Sequence, residues 1–220
     1  MESVAQRISP VILDFLAKRL AEKGQDPSGL FGYYRDFLDR QTAFAAYDVP
    51  IAEFIARNAR DYARYVEIGA GVGQLAVLLA ADGFEAVAVE GDRRRFEAAR
   101  DLFEAVASRM EGTGPRLRAL HAFFPSPKVD MIDNDTLVIF TNIVHGSCDE
   151  EAMLSACSAA GGIIMDLVRF TKMRGSAESW SELVERVRSF GFAPPVTVYS
   201  RGEPSESNLR AWRLVYFHKR

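Results

Sequence analysis

The stretch Val66-Glu67-Ile68-Gly69-Ala70-Gly71-Val72-Gly73-Gln74-Leu75-Ala76 joins two apolar runs through three glycines at alternating positions. The first run is short, the second continues at helical length, and the glycines between them mark a tight turn. Strand, turn and helix in that order make the first unit of a parallel α/β sheet. In such sheets ligands bind beyond the carboxyl ends of the strands, beside the first strand. Glycines there let the turn tighten and let a ligand reach bare backbone.

On its C-terminal side, short apolar strands alternate with helices. The pattern predicts a strand over Tyr65–Ile68, a helix over Gly73–Ala81, a strand over Ala86–Glu90 and a helix over Arg94–Ser108. Strands follow over Leu117–His121 and Thr136–Thr141, then a helix over Glu150–Ala159 and a strand over Gly162–Val168. A helix over Ser179–Phe190 precedes two strands, Val196–Ser200 and Trp212–Phe217, which flank a polar turn and read as a terminal hairpin. The central strands are nearly continuous in apolar residues, as expected where helices cover both faces. Residues 63–220 therefore read as α/β: a doubly wound, Rossmann-like, mostly parallel sheet with an antiparallel C-terminal strand.

Residues 1–62 read as an N-terminal helical extension. Ser9-Pro10 has the form of an N-cap followed by proline at the first helical position. A second helix is expected over Phe31–Ala46, and a third from Asp48-Val49-Pro50 to Ala59, with Gly24–Gly29 as a breaker cluster between the first two.

Composition narrows the function classes. A hydrophobic content of 48% with 11% aromatics is that of a globular protein. The net charge of −3 leaves no surplus for nucleic-acid phosphates, and Arg93-Arg94-Arg95 reads as a solvated helix face. No nucleic-acid partner is expected. Nor is a membrane span, since no run of about 18 apolar residues occurs. MESVAQRISP lacks the order of a secretory signal. Cys148 and Cys157 make no disulfide framework, which suits a reducing cytoplasm, and Cys157 is expected to be a small core residue. The three histidines, His121, His145 and His218, are scattered, so no metal site is expected.

The spacing of the glycines separates two kinds of nucleotide ligand. The dinucleotide fingerprint is G-x-G-x-x-G/A, with its third small residue at the packing point of helix and strand. Gly69 and Gly71 fill the first two places, but Gln74 fills the third, and the last glycine comes one residue early at Gly73. The segment Glu67-Ile68-Gly69-Ala70-Gly71-Val72-Gly73 instead resembles the first motif of the class I S-adenosylmethionine (SAM) dependent methyltransferases. That resemblance covers about residues 62–220. It implies SAM as cofactor and S-adenosylhomocysteine as product, with Glu67 near the amino-acid end of the ligand. Gly69, Ala70, Gly71 and Gly73 would pack on its methionine and ribose portions. Glu90, which ends the second strand about 20 residues on, would accept from the ribose hydroxyls, a device shared with NAD-binding folds. Gly91, Ala122, Phe123 and Thr141 complete the implied cofactor site. Phe123 is equally open to stacking on adenine or to a place in the core.

The end of the fourth strand faces the transferred methyl in this family. Here it reads Thr141-Asn142-Ile143-Val144-His145-Gly146, without the N/D-P-P-Y/F motif of amino methyltransferases acting on nucleobases or glutamine. It is more similar to small-molecule O-methyltransferases, in which an apolar strand end leads to a histidine with an aspartate four residues on, here His145 and Asp149. The resemblance implies a small-molecule acceptor methylated at oxygen. His145 is the candidate base or a pocket-lining residue, and Asn142 a contact to ligand or acceptor. The tryptophan that follows the histidine in the plant enzymes is replaced by Gly146. The N-terminal helices would form a lid, a substrate module or the contact of a homodimer. Within them, Tyr33 of Gly32-Tyr33-Tyr34-Arg35 is a candidate for the SAM carboxylate. Asp166 and Arg169, near the end of the fifth strand, are candidates to face the acceptor. A SAM- or S-adenosylhomocysteine-binding module without transfer activity remains the alternative.

Overall fold

Among the described residues seven strands, all but β3 carrying β-branched or aromatic residues, form the fold: β1 (Arg64–Ile68), β2 (Ala86–Glu90), β3 (Leu117–His121), β4 (Thr136–Phe140), β5 (Gly162–Met165), β6 (Val196–Ser200) and β7 (Trp212–His218). The structure is a computed structural model describing residues 3–23, 32–141, 149–166, 180–200 and 212–219. The strands form one sheet in the order β3-β2-β1-β4-β5-β7-β6. β1 to β5 pair in parallel, and β7 runs antiparallel between β5 and β6. The chain winds outward from β1 to β3, then crosses over to β4. That reversal opens a crevice beyond the carboxyl ends of β1 and β4.

Both faces of the sheet are covered, as the apolar strands require. Tyr65, Leu137, Ile139 and Ile164 enter one core layer, while Val66, Val138, Phe140 and Met165 enter the other. The first layer is closed by α1 (Val4–Lys23), α2 (Gly32–Asp39), α3 (Asp48–Asn58), α4 (Gln74–Ala81) and α5 (Arg93–Ala107). The second is closed by α6 (Glu150–Ala156) and α7 (Trp180–Ser189), with Cys157 fully buried among them. Residues Gln74 to Ala80 of α4 are all buried, because α1 and α3 cover the side that would otherwise meet solvent. Two ion pairs, Arg19 with Asp101 and Arg109 with Asp14, border the contact of α1 with α5.

The N-terminal helices differ from expectation in two places. α1 begins at Val4, so Ser9 and Pro10 lie inside it. The start signal is upstream: Ser3 Oγ accepts from the Gln6 N–H at 3.2 Å, and Gln6 Oε1 accepts from the Ser3 N–H at 2.8 Å. This reciprocal pair is a capping box. Pro10 removes one helical hydrogen bond, yet buried Ile8, Ile12 and Leu16 form an unbroken stripe that holds the helix on both sides of it. α2 ends at Asp39 rather than Ala46. Gln41 adopts φ 51°, its N–H donates to the Leu38 carbonyl at 3.0 Å, and the Thr42 N–H donates to the Phe37 carbonyl at 2.9 Å. That is a Schellman stop, with glutamine where glycine is usual. On the C-terminal side, α6 stops at Ala156, where the chain turns toward β5. Residues 167 and 168 of the expected fifth strand lie outside the described residues. No helix among the described residues is long and apolar enough to cross a membrane.

Because Ile8, Ile12 and Leu16 share one core with Leu75, Leu79 and Leu102, α1 is expected to melt with the sheet. Ile12→Ala should lower global stability by about 2–4 kcal/mol within a single urea transition followed by circular dichroism and tryptophan fluorescence. A separate early transition confined to helix loss would show α1 to be an independent lid.

Candidate functional site

The three glycines occupy the left-handed region, Gly69 at φ 70°, Gly71 at 60° and Gly73 at 76°. A side chain there costs roughly 1–2 kcal/mol of backbone strain, which accounts for their alternation with Ala70 and Val72. The turn is anchored on β2: the Gly69 and Ala70 N–H groups both donate to the Val89 carbonyl, at 2.8 and 3.1 Å. A β-carbon on Gly73 would lie 2.7 Å from the Phe103 ring, so this position is set by packing of α5. Gly71 differs. A β-carbon there would meet only the Tyr34 hydroxyl, at 4.0 Å, which leaves its backbone open to a ligand.

Glu90 ends β2 beside this turn, buried at 7% exposure. Its Oε2 accepts from the Gly71 N–H at 2.7 Å and its Oε1 from the Asp92 N–H at 2.8 Å. Both oxygens are thus oriented by backbone, and each keeps a second lone pair for a hydroxyl donor. Gly91 follows, and any β-carbon there would overlap the Phe123 ring. Phe123 is 77% exposed, which excludes the core role. Ala122 beneath it is buried and donates to the Glu90 carbonyl at 3.1 Å. His121 stacks on Phe96 at 5.2 Å, and its Nε2–H donates to the Gly91 carbonyl at 3.1 Å. Glu90, Gly91 and Phe123 therefore form a polar corner next to an exposed aromatic ledge.

On the other side of the turn lies a group of buried carboxyls. Glu67 is 5% exposed, and its Oε2 has no hydrogen-bond partner. Burial first, then the nearby Asp48 carboxyl, push its pKa well above the usual carboxylate range; the Ala76 N–H acts against them. Asp48, from the start of α3, is also 5% exposed, with Oδ2 accepting from the Ala45 N–H at 2.8 Å. Burial pushes its pKa up to about 7. Gln74, which replaces the third dinucleotide glycine, is buried and donates from Nε2 to the Ala43 carbonyl. It ties the glycine turn to the N-terminal extension.

Sequence reading missed Asp48 and the tie made by Gln74. An acid opening a helix reads as a solvated cap, and only the packing of α3 on α4 buries it. Of the aromatic pair in α2, Tyr34 is buried, with its hydroxyl toward Gly71, and Arg35 is exposed. The Tyr33 side chain lies outside the described residues.

The far side of the crevice is lined by the ends of β4 and β5, where Thr141 and Asp166 are both buried. With strands about 4.8 Å apart, the four steps from Phe123 to Asp166 span about 19 Å across the sheet end. Asn142, His145 and Arg169 lie outside the described residues. Asp149, the aspartate four residues after His145, is the N-cap of α6, with Oδ1 accepting from the Glu151 and Ala152 N–H groups at 3.0 and 3.2 Å. Asp130, Asp133 and Asp135 are exposed in the loop before β4. Among the described residues no cluster of three or more histidine, cysteine or acidic side chains is arranged to hold a metal ion.

The folded-state pKa values of Asp48 and Glu67 are raised, so each contributes stability at low pH that is lost as pH rises through its folded value. For Asp48 that window runs from about 4 to about 7. Asp48→Asn keeps the acceptor for the Ala45 N–H and removes the ionisation. At pH 8 it should be more stable than the wild type by on the order of 1–3 kcal/mol, and near pH 4 about equal, in urea titrations of the ligand-free protein. A wild type whose stability is flat between pH 4 and 8 would contradict this.

No family model matches the chain, and no curated relative does. Solved structures do. A TehB-like SAM-dependent methyltransferase from Corynebacterium glutamicum superimposes with TM-score 0.58 at 13% identity, over 89% of this chain and 100% of its own. A candidate O-methyltransferase of Nostoc punctiforme matches with TM-score 0.56 at 18% identity, over 96% of this chain and 72% of its own. The C-terminal domain of precorrin-6Y C5,15-methyltransferase from Rhodobacter capsulatus matches with TM-score 0.51 at 16% identity, over 80% of this chain and 91% of its own. With the strand order and the glycine turn, these likenesses show that the chain has the fold of the class I SAM-dependent methyltransferases.

Proposed function

We propose that this protein is a SAM-dependent methyltransferase acting in the cytoplasm on the oxygen of a small molecule. The observation that carries the cofactor reading is the glycine turn with its two flanks. One is the Glu90 corner beside exposed Phe123, the other the buried carboxyls Asp48 and Glu67. Glu90 suits the ribose of either ligand, but a dinucleotide brings a pyrophosphate, which offers no cation to the buried carboxyls Asp48 and Glu67. SAM has no phosphate and carries a sulfonium and an ammonium, so its charges suit that acidic surface. Glu90 would accept from the ribose hydroxyls, Phe123 and Gly91 would flank the adenine, and the Gly69–Gly73 turn with Glu67 would hold the remainder.

SAM supplies an already activated methyl group. What is left to the chain is to align the acceptor, exclude water and remove a proton. Phe123 to Gly73 would occupy the donor half of the crevice, leaving the ends of β4 and β5 for the acceptor. There His145 would accept the acceptor hydroxyl's proton, since a neutral imidazole is a base near pH 7. Asn142 would hydrogen-bond the acceptor, and Asp166 would border it. The choice of oxygen rests on His145 alone.

SAM should raise the melting temperature while NAD leaves it unchanged, since a ligand at about 100 times its Kd adds about 2.7 kcal/mol. Stabilisation by NAD and not SAM would overturn the reading. His145→Ala should bind SAM as the wild type does but turn over about 10²–10⁴-fold more slowly, followed as S-adenosylhomocysteine release with a panel of hydroxylated acceptors. Undiminished turnover would remove His145 as base. SAM binding without turnover across all acceptor classes would favour the binding module.

A further inference from the structure

We propose that Asp48, from the N-terminal extension, completes the cofactor site: with Glu67 it forms a paired-carboxyl seat for the α-ammonium of SAM, and entry of that cation displaces a proton from the pair. The proposal rests on the SAM reading above and adds to it a residue outside the sheet domain.

Three observations meet at this point. Glu67 leaves β1 immediately before the glycine turn, and its Oε2 is buried without a hydrogen-bond partner. An unsatisfied buried carboxylate oxygen costs about 1–3 kcal/mol or more, so it is expected to have a function that repays the cost. Asp48 reaches the same place from α3, because α3 packs on α4 directly after the turn. Asp48 commits Oδ2 to the Ala45 N–H. Burial raises the pKa of both acids, and Asp48 raises that of Glu67 further, so the two hold protons more tightly than exposed carboxyls do.

The charged surroundings are few. Glu67 is faced by Asp48 and Glu90, with the Ala76 N–H opposing them. Asp48 receives the Ala45 N–H. α4 carries no titratable side chain, and β6, which also packs on α3, carries only Tyr199. Of the arginines on β1 and α3 themselves, Arg64 pairs with Asp133 and Arg57 with Glu53, whereas a ligand ammonium would neutralise the pair. A primary ammonium brings three N–H donors, enough to bond Glu67 Oε2 and the Asp48 oxygen together. Binding therefore converts a protonated acid pair and a cation into a bonded ion cluster, with the proton released to solvent.

The test compares SAM with 5′-methylthioadenosine, which shares the nucleoside and lacks the amino-acid end. Calorimetry near pH 6.5 in two buffers of different ionisation enthalpy measures protons exchanged. SAM should release about one proton per site and methylthioadenosine none. Asp48→Asn should weaken SAM about ten- to hundredfold, leave methylthioadenosine within about twofold, and keep or raise the stability of the ligand-free protein. A wild type that binds SAM without proton release, or an Asp48→Asn variant that loses both ligands equally, overturns the proposal and leaves the methyltransferase reading intact. Failure of the wild type to bind SAM at all overturns that reading, and this proposal with it.

Discussion

The burial of α4 is the constraint on which the rest of the molecule depends. The helix follows the glycine turn and presents Gln74-Leu75-Ala76-Val77-Leu78-Leu79-Ala80 with no polar face. A helix lying on a sheet normally keeps one stripe for water. This one has none, so something must cover its outer side, and α1 and α3 do so. The N-terminal extension is therefore a third layer over the first βα unit. Its removal would expose several leucines beside the candidate site.

That cover has a chemical consequence. Bringing α3 onto α4 carries Asp48 into the interior beside Glu67, and bringing the 40–47 segment down lets Gln74 bond the Ala43 carbonyl. The turn is thus bordered by neutral, packed groups at Gly73 and by acids at Glu67, Asp48 and Glu90. Acids held in an apolar setting destabilise the empty fold above their raised pKa values. Groups with pKa values perturbed in this way cluster at functional sites. In the proposed ammonium seat, stability and binding pull in opposite directions at Asp48.

The strands and most helices were legible because their periodicity and their terminators are local. β2, β3 and β6 match their predicted bounds, and α5 begins one residue early because Asp92 caps it through the Arg94 and Arg95 N–H groups. The errors lay where a competing local signal was stronger than the one read. Ser9-Pro10 imitates a helix start, but the Ser3–Gln6 capping box lies nearly two turns upstream. The polar–apolar pattern after Arg40 continues at helical spacing, yet Gln41 in a left-handed conformation ends α2. Phe123 was ambiguous because a phenylalanine after a strand is at home in a core or on a ligand, and only its 77% exposure separates the two.

By itself the sequence determined the strand–turn–helix unit, the α/β class, and the glycine positions. Those follow from φ preferences and hydrophobic period, which each residue carries with it. It also determined that Glu90 closes β2 and that Glu67 stands one residue before the end of β1, because an acid in an apolar strand is visible in one dimension. Which acids are buried together was decided only by the tertiary structure. Asp48 and Glu67 are distant in the chain, and their shared low-dielectric setting exists only once α3 lies on α4. Burial, and the raised pKa that comes with it, belongs to the packed arrangement and not to any residue alone.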